Sequence, residues 1–380
     1  MLDFSFTHEQ EEFRSKVRQF VEKEIAPHAA ERDKREQLPF EAIKSMGEFG
    51  LIGITYPKRL GGQEKQWIDH SIALEEVARG DYSCAMILGM LVVYTKLLEN
   101  NDDLIRSIIQ GDKVLAFAET EAHSGGDAAG IKSEALRQDD HYVINGEKYG
   151  ISLVPGDQFM VVTALTRPDL GGVKGMSMFL IEADRPGVKI DAIPEPGLRA
   201  HMLGRITLTD VKIPASNLIG EENKGFYQMR SRWDFTRGVG GTSATGMAWK
   251  VLEDTVEHAK RKYTYGKPLL KWQAIQLRLI DHFAELEAAR LLCYKSAWMA
   301  DHKMRITTYA SMIRTWVSDI VFNIIKDCIV VWGMAGYKEY HPVQMAFRNS
   351  VGRILAGGGA DIHRMIIGTE LFGREYNALK

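Results

Sequence analysis

The chain changes hydrophobic period twice, and that restricts its architecture more than any other feature. Up to about residue 115, and again from Gly225, apolar residues recur at helical spacing, while the text between holds short alternating or β-branched runs. In the first stretch Thr7 and Gln10 form a capping-box pattern. Phe13, Val17, Phe20, Val21 and Ile25 then share one helical face, which predicts a helix closed by Pro27. A second helix is expected over 40–50 and a loop over 57–63. From Asp69 a long helical pattern leads into CAMILGMLVVY (84–94), apolar on all sides and therefore buried, and a short helix ends at Gly111. The middle segment holds HYVI, QFMVVTAL, SMFLIEA and RITLTDVKI, punctuated by Asn145-Gly146, Gly171-Gly172 and Arg185-Pro186-Gly187. Asn-Gly between strand-like runs predicts a hairpin. Long helical patterns return at 240–264, 273–300 and 306–332. The expected fold class is therefore mainly α with a central β domain, a sandwich or barrel, divided at 1–115, 116–224 and 225–380.

Composition narrows the function classes. A formal net charge of −2 gives no general attraction to nucleic acid or anionic membrane. Three cysteines, far apart and odd in number, make neither a disulfide framework nor a metal knuckle and fit a reducing compartment. No apolar run reaches the roughly 18 residues of a membrane span, and the acidic start MLDFSFTHEQEEF is unlike a signal or transit peptide. A cytoplasmic protein is expected.

The glycines Gly357 to Gly359 interrupt text that is otherwise helical. Each costs a helix about 1 kcal/mol relative to alanine, so the run breaks it. It serves as a left-handed helix end, as bare helix-start amides for a phosphate, or as open space over a ligand.

Five segments, in order and at matching distances, carry a resemblance: TEAHSGGDAAGIKSEA (120–135), INGEKYGIS (144–152), DVKIPASNLIGEENKGF (210–226), KYTYGKPLLKWQAIQ (262–276) and WGMAGYKEYHPVQMAFR (332–348). Together they resemble the acyl-CoA dehydrogenase family over nearly the whole chain. The resemblance implies an N-terminal helical domain, a small β barrel and a C-terminal four-helix bundle. It implies FAD between the β domain and the C-terminal helices, and an acyl-CoA substrate against the flavin. It further implies an electron-transferring flavoprotein as electron partner, and a homotetramer whose neighbouring subunit completes the site for the adenosine half of FAD.

Carried over residue by residue, the resemblance puts Thr120 and Ser152 at the flavin ring. Gly126, Lys262, Tyr265, Gly266, Gln273, Gly333 and Gly359 fall at the rest of FAD, and Tyr94, Asp234, Arg237 and Gly357 at the substrate. A strand-end threonine for Thr120 and an exposed helical pair for Asp234 and Arg237 are the plain alternatives. No metal site is expected.

The departures from the family pattern cluster. Counting back from Ile362, the position of the catalytic glutamate falls on Gly357, and the alternative position on the helix of Arg237 falls on Thr236. The flanking tryptophan becomes Gly150, the serine after the glycine pair Gly126, and the diphosphate arginine Lys262, which loses the bidentate fork. Val330 and Met334 replace part of a Gln-x-x-Gly-Gly loop. Asp81 reads as a helix cap rather than a base, and Asp361 as a first-turn acid. The expected function is an FAD-dependent oxidoreductase of the CH–CH group of an acyl-CoA with a cyclic or otherwise unusual acyl group, without the usual base. Alternatives are an enoyl-CoA reductase or β-eliminating desulfinase-like relative, a flavin-dependent monooxygenase, and a non-catalytic binding subunit.

Overall fold

The computed structural model describes residues 4–99, 101–154 and 158–376. Helix α1 (His8–Phe20) starts at the predicted capping box, with Thr7 and Gln10 exchanging side-chain and backbone bonds. Pro27 does not close the path. A π turn (Val21–Ile25) and a 3₁₀ turn (Ala26–His28) absorb the N–H that proline lacks, and the chain runs on into α2 (Ala29–Arg35). Next come α3 (Phe40–Glu48), α4 (Trp67–Gly80), α5 (Tyr82–Tyr94) and α6 (Asp102–Ile109). Asp81 separates α4 from α5 as the expected cap. Its Oδ1 accepts from the Ser83 and Cys84 amides, and its Oδ2 takes the Arg32 Nε at 2.9 Å.

The central region contains β1 (Leu115–Ala118), β2 (Glu134–Gln138), β3 (His141–Ser152), β4 (Phe159–Leu165), the short α7 (Gly171–Gly175), β5 (Met176–Glu182), β6 (Val188–Ile193), β7 (Leu203–Pro214) and β8 (Leu218–Ile219). Their order is β6-β7-β3-β2-β4-β5-β8, with β1 parallel to β4. Asn145-Gly146 is not a hairpin turn. It lies inside β3, at a register shift against β7, where Asn145 Nδ2 donates to Asp210 Oδ1 at 3.1 Å and the Asp210 amide donates back at 2.8 Å. Gly146 is needed there because a Cβ would collide with Ser133. The hairpin turns instead at Asp139-Asp140, between the paired Gln138 and His141, with Asp139 at φ 53°.

The C-terminal part comprises α8 (Gly225–Gly238), α9 (Gly241–Arg261), the hairpin β9 (Tyr263–Thr264) and β10 (Lys267–Pro268), α10 (Gln273–Asp301), α11 (Thr307–Met312), a π turn (Ile313–Val317), α12 (Ser318–Trp332), α13 (Pro342–Leu355) and α14 (Ala360–Phe372). Helix α9 packs on α4, α10 and α12, so one apolar core joins the two helical parts. Buried charges fix their relation. Glu75 of α4 accepts from Arg290 at 2.6 Å and from the Tyr294 hydroxyl at 2.7 Å on α10, and Arg348 of α13 donates to Asp33 of α2 at 2.6 Å. Each is a charge-assisted bond inside the protein, where losing one partner strands the other.

Candidate active site

Strand β1 is an apolar run, LAFA, followed directly by two polar residues, Glu119 and Thr120. Beneath that end lies Lys148 of β3, with no exposed surface. Its ammonium donates to the Glu119 carbonyl at 3.1 Å, to Glu121 Oε1 at 2.8 Å and to Thr163 Oγ1 at 3.2 Å. The Tyr149 amide donates to the Thr120 carbonyl at 2.8 Å. The backbone at 119–120 is thus tied down on both carbonyls, and the direction of the Glu119 side chain is preset.

That side chain meets α5 and α8. Trp233 Nε1 donates to Glu119 Oε2 at 3.1 Å. Burial pushes the carboxyl up to about 7, with Trp233, Arg237 and Lys148 pulling the other way. Glu119 nevertheless keeps partial exposure, because it lines a cleft rather than a sealed core. The Tyr94 ring stacks on Phe117 at 4.5 Å with 5° between planes. Burial first, and Glu119 second, raise the Tyr94 hydroxyl to about 12, with Thr236 and Arg237 beside it. The Arg237 guanidinium lies over Trp233, 4.7 Å from the ring centre, and its Nε donates to the Gly357 carbonyl at 3.1 Å.

The glycine run forms the facing wall. Gly357 and Gly358 sit at φ 71° and 99°, a left-handed pair that ends α13. Donors from three elements satisfy the freed carbonyls. Besides Arg237, Arg314 Nη2 donates to the Arg353 carbonyl at 2.6 Å, and His363 Nε2 lies 3.1 Å from the Gly357 carbonyl. Burial, with Arg237 next, lowers His363 to about 4, so the ring is neutral at pH 7. A carbonyl only accepts, so Nε2 carries the proton and Nδ1 accepts from Ser311 Oγ at 3.3 Å. Burial, then Arg353 and Arg237, brings Arg314 down to about 9. A Cβ on Gly357 would stand 3.5 Å from Arg314 Nε.

The structure divides the residues expected at the site into two groups. Tyr94, Thr120, Arg237 and Gly357 border the cleft. Gly126 approaches the start of α14, where its Cβ would lie 3.5 Å from Ile362, and Gly359 caps that helix without a side chain. Gly125, Gly150 and Gly359 each have open space where a side chain would be. Bare backbone along the 125–126 loop and the uncapped amides of a 13-residue helix suit a flat cofactor with a diphosphate. Ser152 donates its hydroxyl proton to His201 Nε2 at 3.0 Å, because His201 Nδ1 is engaged with the Leu198 carbonyl at 3.0 Å. A ligand would therefore meet Ser152 as an acceptor. Asp234 accepts from Thr307 Oγ1 at 2.6 Å, turned toward α11. Lys262, Tyr265, Gly266 and Gln273 lie on the exposed hairpin and the start of α10. Gly333 lies beyond Trp332, which stacks on His258 at 3.9 Å; exposed Val330 and Met334 flank it. This second group forms a ledge on the outside of the chain.

Glu119 and Trp233 are the two site residues that sequence reasoning passed over. The available signal was a glutamate closing an apolar strand. A groove of about 320 Å³ lies against α8, lined by Leu97, Leu98, Gln228, Ser231 and Arg232 among others. Among the described residues no group of His, Cys, Asp and Glu could hold a metal ion, and no helix is long and apolar enough to cross a membrane.

Comparison with known proteins agrees with this architecture. Family models match in chain order: "Acyl-CoA dehydrogenase, N-terminal domain" over 7–101, "Acyl-CoA dehydrogenase, middle domain" over 116–211 and "Acyl-CoA dehydrogenase, C-terminal domain" over 223–372. An acyl-CoA dehydrogenase of Bacillus subtilis is 31% identical over 375 residues, covering 97% of this chain and 99% of the relative. The cyclohexane-1-carbonyl-CoA dehydrogenase of Geobacter metallireducens is 32% identical over 366 residues, covering 93% and 95%. The solved butyryl-CoA dehydrogenase of Megasphaera elsdenii superposes with a TM-score of 0.92 at 28% identity, covering 98% of this chain and 100% of that one. The chain belongs to the acyl-CoA dehydrogenase family.

Proposed function

We propose that this enzyme is an FAD-dependent oxidoreductase of the CH–CH group of an acyl-CoA whose acyl part is cyclic or otherwise unusual, and that no proton passes through position 357. FAD is the cofactor. When bound it supplies the two-electron acceptor, and every other element of the reaction falls to the chain. The observation that carries the reading is the backbone at the glycine run. Gly357 and Gly358 are left-handed and clamped by Arg237 and His363, so this wall offers carbonyls and guanidinium groups but no carboxylate. A Cβ at Gly150 would enter open space, whereas one at Gly357 would meet Arg314 Nε at 3.5 Å, so bare backbone leaves its free room at Gly150.

Thr120, Gly126 and Gly359 would hold the cofactor. Tyr94 and Trp233 would shape the acyl cavity, and the groove against α8 would take the thioester tail. The exposed ledge of Lys262, Tyr265, Gln273 and Gly333 would complete the cofactor site of a neighbouring copy in a homotetramer. An electron-transferring flavoprotein would be the electron partner. Anaerobic titration of the FAD-loaded enzyme with linear and ring acyl-CoAs tests this reading. Flavin bleaching by ring thioesters, stronger than by linear ones, is expected. No bleaching and no spectral change with any thioester refutes it.

A further inference from the structure

We infer that Glu119, at the end of β1, is the group that exchanges the α proton of the substrate, taking over from the opposite wall the task that the glycine run cannot perform. The inference rests on the proposed reaction and names the proton carrier within it.

Three observations carry it. First, Glu119 lines the same cleft as the glycine run. Arg237 links them, since its Nε is bound to the Gly357 carbonyl while its guanidinium lies over the tryptophan that donates to Glu119. Second, the carboxylate is only half used. Oε2 has the Trp233 indole, whereas Oε1 has no protein donor among the described residues and is not sealed from the cleft. A purely structural carboxylate here would be saturated, as Glu121 is two residues on, with Lys148, the Ser133 hydroxyl and amide and the Lys132 amide all donating to it. Third, no cation lies within 4 Å of Glu119 among the described ion pairs, although Lys148 is close beneath its backbone. The groups facing it are Tyr94 from α5, Trp233 and Arg237 from α8, and Lys148 from β3. With burial setting its carboxyl near 7, both protonation states are populated at neutrality, where a general base or acid works best.

In the oxidative direction the C2–H bond breaks and its proton goes to Glu119. The electron pair forms the C2=C3 bond, and the C3 hydride leaves with its own pair for the two-electron acceptor that bound FAD would supply. The thioester thereby loses two electrons, which the acceptor supplied by bound FAD would take up. In reverse, protonated Glu119 returns the proton to C2.

The test uses the FAD-loaded enzyme and its Glu119→Gln and Glu119→Asp variants. Gln can still accept from Trp233, so the site's packing is preserved. Exchange of the α hydrogen for deuterium in heavy water, followed by mass spectrometry of the acyl-CoA, reads the proton step without relying on turnover. The Gln variant should lose exchange and flavin bleaching together by about 10²–10⁴-fold, with acyl-CoA affinity nearly unchanged, and Asp should recover part of both. Difference infrared spectroscopy of the wild-type enzyme should show a protonated-carboxyl band that titrates near neutrality and is missing in the Gln variant. Exchange undiminished in Glu119→Gln, or no such band in the wild type, overturns the inference. If the wild type is bleached by thioesters while Glu119→Gln behaves identically, this inference alone fails. If no thioester perturbs the wild-type flavin, the proposed reaction fails with it.

Discussion

Lys148→Met removes the buried cation beneath the end of β1 while keeping the length and much of the volume of the side chain. In the native protein burial alone would raise the Glu121 carboxyl and lower the Lys148 ammonium. Lys148, Ser133 and Lys132 together overcome this for Glu121 and hold it below its usual value. Without the ammonium, Glu121 either stays charged in a site where it is 3% exposed or takes up a proton. Protonation sets the ceiling. From an ordinary value of about 4.3 it costs about 4 kcal/mol at pH 7 and about 1 kcal/mol at pH 5, and the pH 7 figure agrees with the roughly 3–5 kcal/mol seen when one partner of a buried pair is removed. The orphaned Glu119 carbonyl adds about 1 kcal/mol at either pH. The sign follows from linkage. A depressed carboxyl stabilises the native state above its unfolded value and loses that contribution as pH falls, so the deficit of the variant is largest at neutral pH and shrinks on acidification. Denaturant unfolding by linear extrapolation at pH 5 and pH 7 should show losses of about 2 and about 5 kcal/mol. Adding Glu121→Gln should recover most of the loss. A deficit below about 1 kcal/mol at pH 7, or one that does not shrink with acid, would show that the pair is not coupled as the geometry implies.

Other consequences are equally open to measurement. Gly357→Ala places a Cβ at φ 71° and should cost about 1–2 kcal/mol, visible as a lowered Tm. Asp81→Asn keeps the helix cap but strands Arg32, whereas Asp81→Ala loses both. Unfolding should show at least about 3 kcal/mol lost by either variant and about 1 kcal/mol more for Ala, while the FAD spectrum of the surviving folded protein stays native. Trp233→Phe removes the one indole donor that lowers the Glu119 carboxyl, so the acid limb of the pH–rate profile should move to higher pH. An unmoved limb would separate Glu119 from the proton step.

The parts of the fold legible in the sequence were those dictated by neighbours in the chain. Thr7 and Gln10 are three residues apart, and their capping box formed as expected. Asp81 capped α5 for the same local reason. Pro27 and Asn145-Gly146 misled because a local signal has more than one solution. A missing N–H can be absorbed by changing the helical pitch, and Asn-Gly suits a bulge as well as a turn. The candidate site was legible on the glycine side, where one residue type announces the backbone. Glu119 was not, because its meaning depends on Trp233, 114 residues away, and on a lysine that holds its backbone rather than its side chain.

Arg314 reaches the end of α13 from within a π turn, Ile313–Val317, between α11 and α12. Such a turn carries one residue more than regular α-helix needs. Shortening this segment by a single residue would restore ordinary pitch and rotate everything before it by about 100° about the helix axis. The guanidinium would then leave the Arg353 carbonyl behind. The length of this one helix, rather than any side chain in the cleft, therefore governs whether the wall facing Glu119 stays closed.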